Sequence, residues 1–141
     1  MKAVKNEKQA LQALNEALAW EIRATLMYAH YAAFVMGRDR LDFEEYFSEE
    51  STESMGHAKE VRQIIADLGG KAITAPDPTP IPDARDIKKM LGEALKTEQV
   101  AEEKYRVLLA QFEHQSAWHH RLRHIMMDEE KAQIELHRLM K

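Results

Sequence analysis

At 141 residues and 45% apolar, the chain can bury one sizeable core but not two, so a single domain over 1–141 is expected. Its net charge of −4, with Lys and Arg dispersed, leaves no basic footprint for nucleic acid or an anionic membrane, and neither is expected as a partner. The absence of cysteine excludes disulfides and thiolate sites, so any metal must be held by oxygen and imidazole.

The opening residues, Met1 to Lys8, lack the apolar segment of a secretory signal, and no run approaches the ~18 apolar residues of a membrane span. A cytoplasmic protein is expected. All 4 Pro and two of the 5 Gly fall between Gly69 and Pro82, leaving long helix-compatible segments on both sides, an all-α pattern. The first helix is predicted over about 6–36, closed by Gly37 as C′ residue, with the stripe Leu11, Leu14, Leu18, Glu21, Thr25, Tyr28, Ala32, Val35. After a short polar turn at 38–40, Asp42 with Glu45 resembles a capping box and opens a second helix that closes at Gly69-Gly70. Its stripe is Phe43, Phe47, Glu50, Ser54, His57, Val61, Ile64, Leu68.

Residues 71–82 contain Pro-Asp-Pro-Thr-Pro-Ile-Pro, which fits neither a helix interior nor a central strand. The 15 residues from Gly69 to Asp83 reach roughly 45 to 50 Å when extended, longer than the ~40 Å of the second helix. This connector can therefore return along the whole bundle, making the third helix parallel to the second, as in a four-helix bundle with a long crossover. Asp83 is predicted to cap the third helix, about 84–113, with stripe Ile87, Leu91, Ala94, Glu98, Ala101, Tyr105, Leu108, Phe112. Ser116 caps the fourth, which runs to the end with Trp118, Leu122, Ile125, Glu129, Ala132, Leu136, Leu139. The short joint makes these two helices antiparallel neighbours.

Each apolar stripe is broken near its own midpoint by Glu or His. In a bundle those midpoints share one level, so Glu21, His57, Glu98 and Glu129 are expected to converge, with Glu50 a turn or two away. No Lys or Arg lies on the stripes. Carboxylates gathered away from water cost several kcal/mol each unless protonated or bound to a cation. A multivalent cation removes that cost, and this donor set suits iron, manganese or zinc. Facing Glu residues on four helices build carboxylate-bridged di-metal bundles. A lone Glu on a stripe more often marks the edge of an apolar face; four at matched heights are harder to dismiss. Glu53 lies off the seam and is expected to face solvent. His114, His119, His120 and His124 read as surface residues near the bundle end, the alternative being an iron-entry or secondary site.

These residues resemble the ferritin-like superfamily, specifically bacterioferritins and the related Dps-like proteins, over nearly the whole chain. Leu14 to Ala24 is similar to the bacterioferritin opening, with Glu21 at a ligand position and Tyr28 matching the aromatic beside the di-iron site, the candidate catalytic side chain. Glu50-Ser51-Thr52-Glu53-Ser54-Met55-Gly56-His57-Ala58 matches the second-helix motif, and Glu98 before Tyr105-Arg106 and Asp128-Glu129-Glu130 match the third and fourth. The family pattern is Glu-x-x-His on both the second and fourth helices, yet Ser54 and Ala132 stand at two of those positions. The resemblance thus implies a reduced or altered ferroxidase centre, mono- or di-nuclear, with Glu50 in partial replacement. Met55 aligns with the methionine that ligates haem across a two-fold subunit interface, although a helical Met is usually core filler. The chain ends nine residues after Ala132, without the fifth helix of 24-subunit bacterioferritins; a 12-mer or dimer is at least as well suited.

The expected function is intracellular iron sequestration in a homo-oligomer, with Fe(II) captured by Glu21, His57, Glu98 and Glu129 and slow oxidation by O2 or peroxide. The alternatives are a haem-binding cage subunit beside a partner ferritin subunit, and a metal-free scaffold.

Overall fold

The computed structural model describes residues 4–141; Met1 to Ala3, part of the stretch read as lacking a signal sequence, lie outside it. The helical periodicity of the sequence is realised in four helices, α1 (Glu7–Phe34), α2 (Arg40–Asp67), α3 (Ile87–Leu109) and α4 (Ala117–Leu139), with no strand among the described residues. The all-α four-helix bundle with a long crossover between the second and third helices is therefore the fold observed.

Several helix ends differ from the reading by residue type, and for α1 and α3 backbone pairing outside the helices accounts for the difference. Residues 35–36 leave α1 extended, and Met36 N–H donates to Arg85 carbonyl at 2.9 Å, so the chain at 84–86 is extended too. Asp86, not Asp83, consequently caps α3, accepting from Lys89 N–H, while Gly37 sits beyond the helix at φ +117°. At the other end Lys5 N–H donates to Gln111 carbonyl, and α3 stops at Leu109 rather than near 113. The capping box at Asp42 does not form: α2 already starts at Arg40, and Asp39 caps it without a side-chain bond. Ser116 caps α4 as expected, accepting from His119 N–H. Gly69 closes α2 at φ +73°, a left-handed conformation that suits glycine.

Two apolar clusters fill the bundle, one above the other. The first joins Leu14, Leu18, Ile64, Leu108 and Leu122; the second joins Met27, Tyr31, Phe47, Met90 and Leu136. Along α1 and α4 the chain passes from the first cluster to the second, and along α2 and α3 from the second to the first. Thus α2 and α3 run parallel, and the connector spans the bundle's length. It lies along α1: Asn15 holds Lys71 and Ile73, Ala19 carbonyl accepts from Asp77 N–H, Arg23 donates to Thr79 and Pro80 carbonyls, and Tyr31 hydroxyl donates to Pro82 carbonyl. Between the clusters, at one level on all four helices, lie the buried polar residues Glu21, His57, Glu98 and Glu129. Leu139, read as part of the fourth stripe, is 36% exposed, because the last turn of α4 runs past the second cluster.

Candidate metal centre

Burying a stripe on each helix forces whatever interrupts it into the interior. Glu21 is 1% exposed, Glu129 3%, Glu98 5% and His57 7%, so the acids and the imidazole do meet in a dry layer. His57 Nδ1 stands 3.3 Å from Glu21 Oε2 and 3.0 Å from Glu129 Oε1. Neither oxygen lies where an N–H could donate to it, so Nδ1 is buried without a hydrogen-bond partner. Nε2, on the far edge of the ring, lies 3.0 Å from Asp128 Oδ2. Phenols hold two of the acids: Tyr105 donates at 2.6 Å to Glu21 Oε2, the same oxygen that faces His57, and Tyr28 donates to Glu98 Oε1 at 2.5 Å.

The electrostatics follow from this crowding. Burial, together with Glu98 and Glu21, pushes Glu129 well above the ordinary carboxylate range, which favours its protonated form beside Glu98. Glu98 is pushed up as well, by burial, partly offset by the bonds it accepts from Glu129 and Tyr28. Burial alone would lower His57, but Glu21, Asp128 and Glu53 outweigh it and raise the imidazole to about 9. Desolvation and neighbouring acids also lift both phenols, which stay protonated donors. Of the two ways to offset carboxylates gathered away from water, protonation is favoured in part here, since burial raises Glu129 and Glu98 and the neighbouring acids raise His57.

Arg23 tests the same reading from the other side. It is 4% exposed, a buried cation that stripe analysis missed, yet its guanidinium stacks on Trp20 and spends its donors on connector carbonyls. It forms no ion pair with the layer.

The donors fit a metal ion. Oxygen and nitrogen ligands at ~2.1 Å in tetrahedral or octahedral array stand ~3.0 to 3.4 Å apart, close to the spacings around Nδ1, and Glu21, His57 and Glu129 each offer an atom within 4.8 Å of the others. A buried nitrogen that lacks a hydrogen bond while two carboxyl oxygens converge on it is better satisfied by a cation than by its own proton. Glu98 adjoins through Glu129. Glu50 is peripheral: it is partly buried, accepts from Tyr46 at 3.4 Å, and is raised to about 8 by burial, Glu98 and Glu53. Ala132, lining an open cleft of about 710 Å³ along the α2–α4 seam, has no donor atom, and the neutral hydroxyl of buried Ser54 is a weak donor beside carboxylates.

Met55 lies away from this layer, 56% exposed beside Leu26, Ala58 and Arg62. Glu53 is on the outside as expected, but reaches within 3.7 Å of His57 Nε2. His119, read as a surface residue, is buried at 8% exposure against His114 with ring centroids 4.6 Å apart. Tyr105 and Asp128 are the residues whose roles were missed. Tyr105 shares the stripe of Glu98, so its placement was available from spacing; the contact of Asp128 depends on which way the His57 ring turns, which spacing does not give.

Residues 11–141 match the family model described as ferritin-like domain. No curated protein matches the chain. Among solved structures, a ferritin-like diiron-carboxylate protein from Bacillus anthracis str. Ames is 30% identical at a TM-score of 0.89, the match covering 100% of both chains. A dodecameric thioferritin, the bacterioferritin-related protein of Bacteroides fragilis, is 25% identical at a TM-score of 0.84, over 94% of this chain and 84% of that one. A Dps homologue from the archaeon Halobacterium salinarum is 19% identical at a TM-score of 0.88, over 96% of this chain and 81% of that one, a likeness of fold alone. With the family model spanning nearly the whole chain and the four interrupted stripes meeting in one polar layer, the chain belongs to the ferritin-like family.

Proposed function

We propose that the protein binds and sequesters iron, with Fe(II) as its cargo, at a centre made of Glu21, His57, Glu98 and Glu129. Membership of the ferritin-like family supports an iron-related function in general terms. The observation that carries the finer reading is the orphaned Nδ1 of His57 between two converging carboxyls. Capture displaces the protons those groups hold: the imidazolium gives up its Nδ1 proton, and Glu129 exchanges its own for the cation. The bonds from Tyr105 and Tyr28 hold Glu21 and Glu98 in orientation, so each carboxylate is aimed by a phenol. Tyr28, the candidate catalytic side chain, acts here by positioning Glu98.

With Ser54 and Ala132 in place of a Glu and a His, the centre holds one ion well and a second poorly, and oxidation of Fe(II) by O2 or peroxide is slow. Manganese and zinc suit the same donors. A homo-oligomer, a dimer or a 12-mer before a 24-mer, is the setting proposed for storage in the cytoplasm; no described helix is long and apolar enough to cross a membrane. The exposed thioether of Met55 keeps a second reading open, in which haem bridges two copies and the chain serves beside a partner ferritin subunit.

Anaerobic and aerobic Fe(II) titrations followed by stopped-flow absorbance test the main reading. Saturable binding that is lost in Glu98→Ala supports it; Glu98→Ala behaving like the parent removes it. For haem, an absorption band lost in Met55→Leu decides.

A further inference from the structure

His57 presents its two ring nitrogens to two separate donor sets. Nδ1 faces inward to Glu21 and Glu129, as described. Nε2 faces the α2–α4 seam, 3.0 Å from Asp128 Oδ2 and 3.7 Å from Glu53 Oε1, and these three donor atoms all lie within 4.8 Å of one another. Helical spacing builds the set: Glu53 and His57 are one turn apart on α2, and Asp128 meets them from α4. They sit in an open cleft of about 540 Å³ whose walls carry Glu60, His120 and His124. The cleft's one arginine, Arg121, is 2.7 Å from Glu60 and 3.7 Å from Asp67, so its charge is spent away from the set.

We propose that Glu53, Asp128 and His57 Nε2 form a second, solvent-facing site for a divalent cation of intermediate softness such as Zn(II) or Fe(II), with His120 and His124 as the further donors at hand. The donor types are those such ions take, two carboxylates and an imidazole. The rigid member is His57, which is nearly buried and cannot swing away, while Glu53 and Asp128 are free enough to close on an ion. This site goes beyond the iron reading and does not depend on it. A neutral imidazole has one lone pair, so the ring serves the inward and outward sets in turn rather than together. An ion held outside therefore waits one imidazole width from the inward set.

The rival explanation is that Asp128 only orients the ring, as a carboxylate behind a ligating histidine commonly does. Asp128→Asn separates the two, because an amide oxygen still accepts from Nε2–H but is a poor metal ligand. The experiment is calorimetric titration of Zn(II) into a chain whose inward set is silenced by Glu21→Gln and Glu129→Gln. Expected is uptake of about one Zn(II) per chain, weakened at least about tenfold when Glu53→Gln and Asp128→Asn are added. No uptake in the silenced chain, or uptake indifferent to the added substitutions, overturns the proposal. Should the double replacement fail to fold, Glu129→Gln alone takes its place with the same two outcomes. Loss of the inward site as an iron site would leave the expected result unchanged, so the two readings fail separately.

Discussion

Glu129→Gln separates a metal centre from a mere buried ion pair. Glu129 is 3% exposed, and burial with Glu98 and Glu21 favours its neutral form. Gln is the same size and also neutral; its amide N–H can donate to Glu98 as the carboxyl proton does, and its oxygen can face His57. If Glu129 carries its proton in the metal-free protein, the replacement changes stability by no more than about 1 kcal/mol. If instead the layer is a structural ion pair between ionised Glu129 and the His57 imidazolium, breaking it costs roughly 3 to 5 kcal/mol. For a chain of this size 1 kcal/mol moves Tm by roughly 3 to 4 °C, so the alternatives differ by roughly 6 to 16 °C. The metal-bound side gives the complementary number. An ion at a hundredfold its Kd stabilises the folded state by about 2.7 kcal/mol, raising Tm by about 8 to 10 °C in the parent and far less in Glu129→Gln. Far-UV circular dichroism melts with chelator, Zn(II) or anaerobic Fe(II) measure both quantities. A variant that melts about 10 °C lower without metal and keeps the parent's metal increment would refute the reasoning.

Other expectations follow from the same layer. The His57 imidazole rises from 6.5 to about 9 on folding, so its contribution is full below pH 6.5 and lost as pH climbs through 9. Glu50 rises from 4.5 to about 8, so the fold favours its neutral form and that contribution fades between pH 4.5 and 8. Both have the same sign: the urea midpoint of the metal-free protein should be lower at pH 9 than at pH 6, and a higher one contradicts the assignment. Zn(II) binding near pH 7 should release about one proton or more, seen as a dependence of calorimetric heat on buffer ionisation enthalpy; buffer-independent heats would mean the ligands were already bare. Arg23→Met removes two charge-assisted bonds to connector carbonyls and should cost about 2 to 4 kcal/mol in urea unfolding while leaving Zn(II) affinity unchanged; a parallel loss of affinity would tie Arg23 to the centre. Ser54→Glu with Ala132→His supplies the two absent donors and should raise Fe(II) uptake from about one ion per chain to about two, whereas unchanged stoichiometry would show that the seam does not close around a second ion.

The sequence disclosed the bundle and its polar layer because both rest on local spacing. Glu21, Glu98 and Glu129 each stand where a 3-4 repeat puts a core side chain, and burying the repeat carries them inside. The helix ends were less legible, since Asp83 and Asp86 are equally good caps and only the pairing of Met36 with Arg85, 49 positions apart by their numbers, chooses between them. Arg23 was invisible for a related reason. Off the stripe a cation is normally solvated, and what buries this one is a connector that stripe analysis treats as featureless. The outward contacts of His57 escaped because periodicity fixes the face a ring leaves from, not the direction in which each nitrogen points.

The crossover's grip on α1 tightens toward its exit, where Tyr31 holds Pro82 and Met36 holds Arg85. Those two clasps fix where α3 begins, and hence the phase at which Glu98 comes round to meet Glu21 and Glu129. A slip of one residue there would swing Glu98 by about 100° and 1.5 Å along the axis, out of the layer altogether. Insertions midway through the crossover only lengthen a bulge. Slack in the rope is harmless, but the knot that ties it off sets the combination of the lock.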